Sequence, residues 1–237
     1  MSPSSRYAIY FAPARGSKLD RFGAQLLGWD AWTGKVLPFP QGILQNVPDW
    51  RELTAAPRKY GFHATLKAPF ALAQGRTADE LRAACAAFAD RPRSFPVFRP
   101  MVDTIGGFIA VVPMARSDEL ERLAGDCVTV FDGFRAPLTE EDRARRNPDE
   151  LSFRQRDYLE RWGYPYVMEE FRFHMTLTAR LAATRQEVVL KMLRDWFSAA
   201  AIERLVIDRI ALFRQHDATS RFEIFGQWPL RAMASEF

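Results

Sequence analysis

Apolar and polar residues alternate over residues 6–11, in RYAIYF, a run rich in β-formers that predicts a first strand. A helix is predicted to follow over about residues 17–27, and then Gly34, Pro38, Pro40, Gly42, Pro48 and Pro57 punctuate residues 28–60, which read mostly as loop. Alternation returns in GFHATLKAP, residues 61–69. Just beyond it, in TADE, Thr77 and Glu80 have the spacing of a capping box, which satisfies the free N–H groups of a helix start and predicts a helix to about Asp90. Two further strands are predicted near residues 95–102 and 108–112, separated by the turn signal Gly106-Gly107.

The second half repeats this order. RFHMTLTAR, residues 172–180, reads as a strand, and TRQE offers Thr184 and Glu187 as a second capping box. The helix it opens carries Val189, Met192, Leu193, Trp196 and Phe197 at helical spacing, a stripe that belongs to the core. Two strands, within RLVIDRIALFRQ and RFEIFGQWP, close the unit around a polar turn at residues 216–220. Each half therefore reads as His-bearing strand, capped helix, strand, strand. Two copies predict a duplicated α+β unit forming one domain over residues 1–237, with halves of roughly 1–115 and 116–237. Between them lie a predicted helix over about residues 118–131 and a polar stretch, 138–165, which reads either as solvated helices or as a lid inserted over an anion site.

Composition narrows the field. A chain of 237 residues, 48% hydrophobic and 26% charged, has enough apolar surface for a sizeable core. Its net charge of +4 and pI near 9.3 favour an anionic partner or substrate, with phosphate the natural candidate. No run reaches the roughly 18 apolar residues of a membrane span, and the first residues lack the basic start and apolar core of a signal peptide, so a soluble, cytoplasmic protein without membrane contact is expected. Cys85 and Cys127 sit among apolar neighbours and form neither a disulfide framework nor a zinc site.

The two histidine strands carry the chemistry. Of three histidines, two occupy matching Phe-His-x-Thr-Leu frames, 111 residues apart. Strand alternation puts His63, Thr65 and Lys67 on one face, and Arg172, His174, Thr176, Thr178 and Arg180 on one face of the other strand. An imidazole titrates near pH 6.5, so one ring can accept a proton while the other donates one, the two tasks that attack on a phosphodiester requires. Thr65 and Thr176 suit the non-bridging oxygens, while Lys67 or Arg172 suits the charge that grows in the transition state. This chemistry requires neither metal nor cofactor. Tyr60 and Gln215 are further candidates for substrate contact, and Thr178 for extending the oxyanion contacts. Arg180, some ~20 Å along an extended strand from His174, reads as out of reach. Tyr7 and Tyr10 have opposite parity and read as packing residues, and His216 as a surface histidine.

The paired FHATL and FHMTL resemble the two H-x-T motifs of the two-histidine (2H) phosphoesterase superfamily. With YGFHATLKAPF, FRAPLT, GYPYV, FRFHMTLT and ALFRQ, the likeness extends from Tyr60 to Gln215 and is greatest to a branch encoded beside phosphonate-degradation operons. The resemblance implies a bilobal module with pseudo-twofold symmetry, antiparallel sheets flanking a central cleft and helices outside. It also implies His63 with Thr65 and His174 with Thr176 as the catalytic pairs. The reaction implied is metal-independent opening of a cyclic phosphate on a small sugar or nucleotide, with ribose 1,2-cyclic phosphate 5-phosphate as a candidate substrate. Processing of RNA 2′,3′-cyclic phosphate ends, or non-catalytic binding of nucleotides or RNA ends, are the alternatives. Oligomeric state is left open.

Overall fold

Seven strands form one sheet in the computed structural model, which describes residues 5–233; residues 1–4 and 234–237, the ends of the expected domain, lie outside it. In chain order the principal elements are β1 (Arg6–Phe11), α1 (Lys18–Leu27), β2 (Ala64–Ala71), α2 (Ala78–Ala89), β3 (Pro100–Ile105) and β4 (Phe108–Pro113). There follow α3 (Asp118–Val130), α4 (Phe153–Trp162), β5 (Met175–Thr176), α5 (Ala183–Ala199), β6 (Arg209–Gln215) and β7 (Glu223–Pro229). The strand order is β7-β6-β1-β2-β5-β4-β3, and every neighbouring pair is antiparallel. The α+β class and antiparallel pairing are those expected. The strands expected to flank a cleft as separate sheets are joined edge to edge, with β2 and β5 at the seam.

Local chemistry sets the helix ends. The Ser17 side chain accepts the Asp20 N–H at the start of α1, Thr77 and Glu80 form the reciprocal capping box of α2, and Ser152 and Gln155 form another for α4. The box expected at Thr184 and Glu187 does not form, because α5 begins one residue before Thr184, with Ala182 at the cap. The preceding residue is pinned there: the Leu181 N–H donates to the Gly107 carbonyl at 2.9 Å. The loop region 28–60 contains a small hairpin, Trp29–Asp30 with Lys35–Val36, and three short helical turns. The polar stretch 138–165 contains a short helix, Glu140–Ala144, a 3-10 turn, Pro148–Glu150, and α4.

The main core lies on one face of the sheet, where Ile9, Phe11, Leu66, Val111, Met175 and Leu212 meet helix residues such as Leu81, Leu123, Cys127, Val189 and Leu193. Burial of each such side chain contributes about 1.5–3 kcal/mol. A smaller cluster of Ala8, Tyr10, Trp29, Phe213 and Phe222 covers part of the other face. Cys85 and Cys127 are free and buried; burial pushes the Cys85 thiol up to about 12 and raises the Cys127 thiol well above its ordinary value, so both stay protonated as core groups.

The halves expected at 1–115 and 116–237 are interleaved. β3 and β4 hydrogen-bond outward from β5, and α5 packs on them, whereas β6 and β7 extend the sheet from β1, where α2 packs. Each side of the sheet thus takes strands from both halves.

Candidate active site

The two His-Thr frames meet at the seam. Ala64 of β2 pairs with Met175 of β5, and both side chains enter the main core. In that antiparallel register His63 lies beside Thr176, and Thr65 beside His174. Because alternate residues face opposite ways, these four polar side chains share the face turned away from the core. The result is a quartet of two imidazoles and two hydroxyls arranged head to tail about the Ala64–Met175 pair.

Each imidazole is latched in the same way. His63 Nδ1 lies 2.9 Å from the Gly61 carbonyl oxygen, and His174 Nδ1 lies 2.7 Å from the Arg172 carbonyl oxygen. A carbonyl only accepts, so both Nδ1 atoms carry a proton and both Nε2 atoms are left for chemistry. His63 Nε2 is 3.3 Å from Thr65 Oγ1. Gly61 supplies its carbonyl from a φ of +75°, a left-handed conformation that glycine adopts without the steric cost other residues incur.

Their surroundings differ. The Tyr10 ring stacks on His63 with centroids 3.8 Å apart and planes 23° apart, while Tyr60 and Phe213 stand at 6.1 and 6.0 Å. Burial in this aromatic surround pushes the His63 pKa down to about 4, the Gly61 carbonyl partly opposes that shift, and a charge on His174 adds to it. Burial also lowers the His174 pKa, with the bond to the Arg172 carbonyl opposing it. Tyr10 is fully buried, and burial holds its hydroxyl protonated.

Beside His174 and Thr65 opens a cavity of about 350 Å³. Its walls include Leu66 and Ala68 of β2, Ile105 and Gly106 of the β3–β4 hairpin, and Gln155, Tyr164 and Tyr166 from α4 and the segment after it. The Arg146 guanidinium lies 4.8 Å from the centroid of the Tyr164 ring. Arg172 and Arg180 both line this cavity.

A family model described as "Protein of unknown function (DUF1045)" matches residues 65–223, from Thr65 of the first frame to Glu223 at the start of β7. The chain belongs to the DUF1045 family. It is similar to a protein named ribose 1,5-bisphosphate phosphokinase PhnN from Janthinobacterium sp. (strain Marseille), with 38% identity over 221 residues, 89% of this chain and 48% of that protein. A second protein of that name, from Laribacter hongkongensis (strain HLHK9), is 33% identical over 219 residues, 92% of this chain and 50% of its own length. The chain spans about half the length of these curated relatives. Among solved structures, E. coli LigT complexed with NADP+ covers 98% of this chain and 99% of its own at 13% identity and a TM-score of 0.42. A conserved protein of unknown function from Agrobacterium tumefaciens str. C58, ATU0111, covers 94% and 85% at 12% identity and a TM-score of 0.43.

Within this DUF1045 protein, three expected substrate contacts are committed elsewhere. Lys67 is turned to the core side, because the pairing of β2 with β1 shifts register on either side of Ile9↔Lys67, and such bulges break strict alternation. Its ammonium binds Asp132 and the Val128 carbonyl, each at 3.0 Å. The Thr178 hydroxyl is buried and accepts the Ile109 N–H at 3.0 Å. Gln215, also buried, accepts from Arg6 Nε at 2.8 Å and donates to the Ser220 carbonyl at 2.7 Å. Tyr60 stays near His63 but stacks on Phe222, with centroids 5.3 Å apart. Arg180, read as out of reach, reaches the His174 cavity because β5 ends at Thr176 and the chain then turns along the hairpin. Tyr10, read as a packing residue, is the platform on which His63 stacks.

Proposed function

We propose that this protein is a 2H-type phosphodiesterase that opens the cyclic phosphate of a small sugar or nucleotide, with His63 as general base and His174 as general acid. The carrying observation is the Ala64–Met175 pairing, which brings both latched imidazoles to one place on the sheet. His63, with a pKa near 4, is neutral at neutral pH, and its Nε2 is ready to accept a proton. His174 borders the open cavity, where a bound anion favours its protonated form.

In the reaction, a water proton moves to His63 Nε2 as the water oxygen bonds to phosphorus. The ring P–O bond breaks, and its leaving oxygen takes a proton from His174 Nε2. Thr65 and Thr176 donate to the non-bridging oxygens, which gain charge in the transition state. Every step uses this chain's own side chains.

The substrate reading follows from size and from the relatives. A cavity of about 350 Å³ is at the small end of ligand pockets, which run from about 300 to 1,000 Å³, and it supports a sugar or mononucleotide over an RNA chain. The curated relatives bear the name of a kinase acting on ribose 1,5-bisphosphate, and this chain matches only about half of each. Opening ribose 1,2-cyclic phosphate 5-phosphate at O2 leaves ribose 1,5-bisphosphate, the compound in that name. We propose on this basis that the activity serves phosphonate catabolism in the cytoplasm. Among the described residues no helix is long and apolar enough to cross a membrane.

The test is an assay of purified protein, with EDTA present, against ribose 1,2-cyclic and nucleoside 2′,3′-cyclic phosphates, read by phosphorus NMR. Turnover should persist in chelator and fall by about 10²–10⁴ in His63→Ala and in His174→Ala. Loss of wild-type turnover in EDTA, or full activity in either variant, would overturn the mechanism.

A further inference from the structure

The cavity beside His174 extends past the quartet to two guanidinium groups. Most arginines near the sheet are occupied: Arg135, Arg185 and Arg194 each bind a carboxylate at 3.0 Å or less. Arg172 and Arg180 differ, since among the described residues neither side chain has a carboxylate, carbonyl or aromatic partner, and both line the same cavity wall as His174. An unpaired pair of cations facing one hollow is a site for an anion with several oxygens.

The platform under Arg180 is rigid. After β5, the Leu177 and Thr178 N–H groups both donate to the Ile109 carbonyl, at 2.9 and 3.2 Å, and the Leu181 N–H donates to the Gly107 carbonyl. Arg180 is thereby held at the tip of the β3–β4 hairpin, where its guanidinium lies against Gly106 and Gly107; side-chain carbons there would stand 3.9 and 3.8 Å from its nitrogens. Arg172 enters the same wall from the other side, two residues before His174, and its backbone carbonyl accepts from His174 Nδ1. The one acidic side chain on the cavity wall, Glu170, accepts a hydrogen bond from Gln155 at 3.0 Å.

The scissile group has its own partners. A cyclic diester carries a single negative charge and is met by two imidazoles and two hydroxyls. A phosphomonoester carries about −1.5 to −2 at neutral pH and matches two forked guanidiniums. We infer that Arg172 and Arg180 form a second anion subsite that takes the terminal phosphomonoester of the substrate, so that the enzyme selects sugar cyclic phosphates bearing a second phosphate. As a statement about substrate, this rests on the proposed phosphodiesterase reading. As a statement about binding, it is testable without turnover.

The direct probe is ribose 5-phosphate, titrated calorimetrically into the wild-type protein and into Arg180→Ala, Arg172→Ala and Arg180→Lys. Binding should weaken by about 10- to 100-fold in each alanine variant, with Arg180→Lys between, while ribose itself gives no heat. Equal affinity across all four proteins, or ribose binding as tightly as ribose 5-phosphate, would overturn the subsite. Circular dichroism confirms that each variant is folded, and Arg180→Lys carries the test should Arg180→Ala fail to fold. A second readout compares kcat/KM for one cyclic phosphate with and without a terminal phosphate. The wild-type preference should collapse in Arg180→Ala; an unchanged ratio overturns the subsite. Absence of any hydrolysis counts against the phosphodiesterase reading alone, because the binding arm stands independently.

Discussion

The frames around His63 and His174 share four residue types, strand register and the latch to a carbonyl two residues back, yet they stand in different surroundings. His63 heads β2, an eight-residue strand near the middle of the sheet, and sits under the Tyr10 ring. His174 precedes β5, a strand of only two residues, and opens onto a cavity, with Phe108 at 5.5 Å as its nearest aromatic neighbour. The lesson is that a motif fixes which atoms are available, while the packing around it sets the surroundings in which each ring titrates: burial lowers both, His63 to about 4. The proposed division into base and acid rests on that difference in surroundings.

The sharpest way to break this contrast is to remove each ring and vary the leaving group. His63→Ala should lose about 10²–10⁴ on every phosphodiester. His174→Ala should lose as much on a sugar cyclic phosphate but recover most of it on a p-nitrophenyl diester, whose leaving group needs no acid. Equal recovery by both variants in steady-state kinetics would erase the assigned roles.

A pH profile sharpens the contrast further. The base must be deprotonated and the acid protonated, so kcat/KM should rise through a limb near pH 4, set by His63, and fall through a limb below 6.5, set by His174. Tyr10→Leu strips the stacked ring and readmits water, so the rising limb should move upward toward 6.5 while the falling limb stays in place. A profile whose limbs both shift would mean that Tyr10 serves the two rings alike.

Smaller effects concern stability. The folded pKa of His63 lies below its unfolded value, so the unfolded chain binds the proton first. The stabilisation is complete above about pH 6.5 and is lost as pH falls toward about 4. Allowing for the partial exposure of the ring, chemical denaturation should show a loss of about 1–3 kcal/mol across that window, and His63→Gln should flatten it. Gly61→Ala introduces a side chain at a φ of +75° and should cost about 1–2 kcal/mol in the same assay.

Much of the site was legible because strand alternation is local: the polar faces of the two frames and the helix starts at Ser17 and Thr77 needed only neighbouring residues. Lys67 was misplaced because a bulge depends on the partner strand, and nothing within GFHATLKAP announces it. Thr178 and Gln215 looked like free polar groups, but a buried backbone N–H from β4 and the Arg6 and Ser220 groups claim them. Arg180 was dismissed on the assumption of a long second strand, whereas β5 stops after two residues. The mixed parentage of the two sides of the sheet was hidden for the same reason, since pairing partners far apart in sequence leave no local trace.

That mixed parentage governs when the chemistry comes into being. β1, the strand bearing Tyr10, is bonded to β2 on one edge and to β6 on the other, and the His63 strand meets its counterpart only at Met175. A nascent polypeptide leaving the ribosome therefore holds its first histidine for more than a hundred residues with no partner across the seam. Closure of such distant contacts is slow, so the quartet of imidazoles and hydroxyls assembles late in folding.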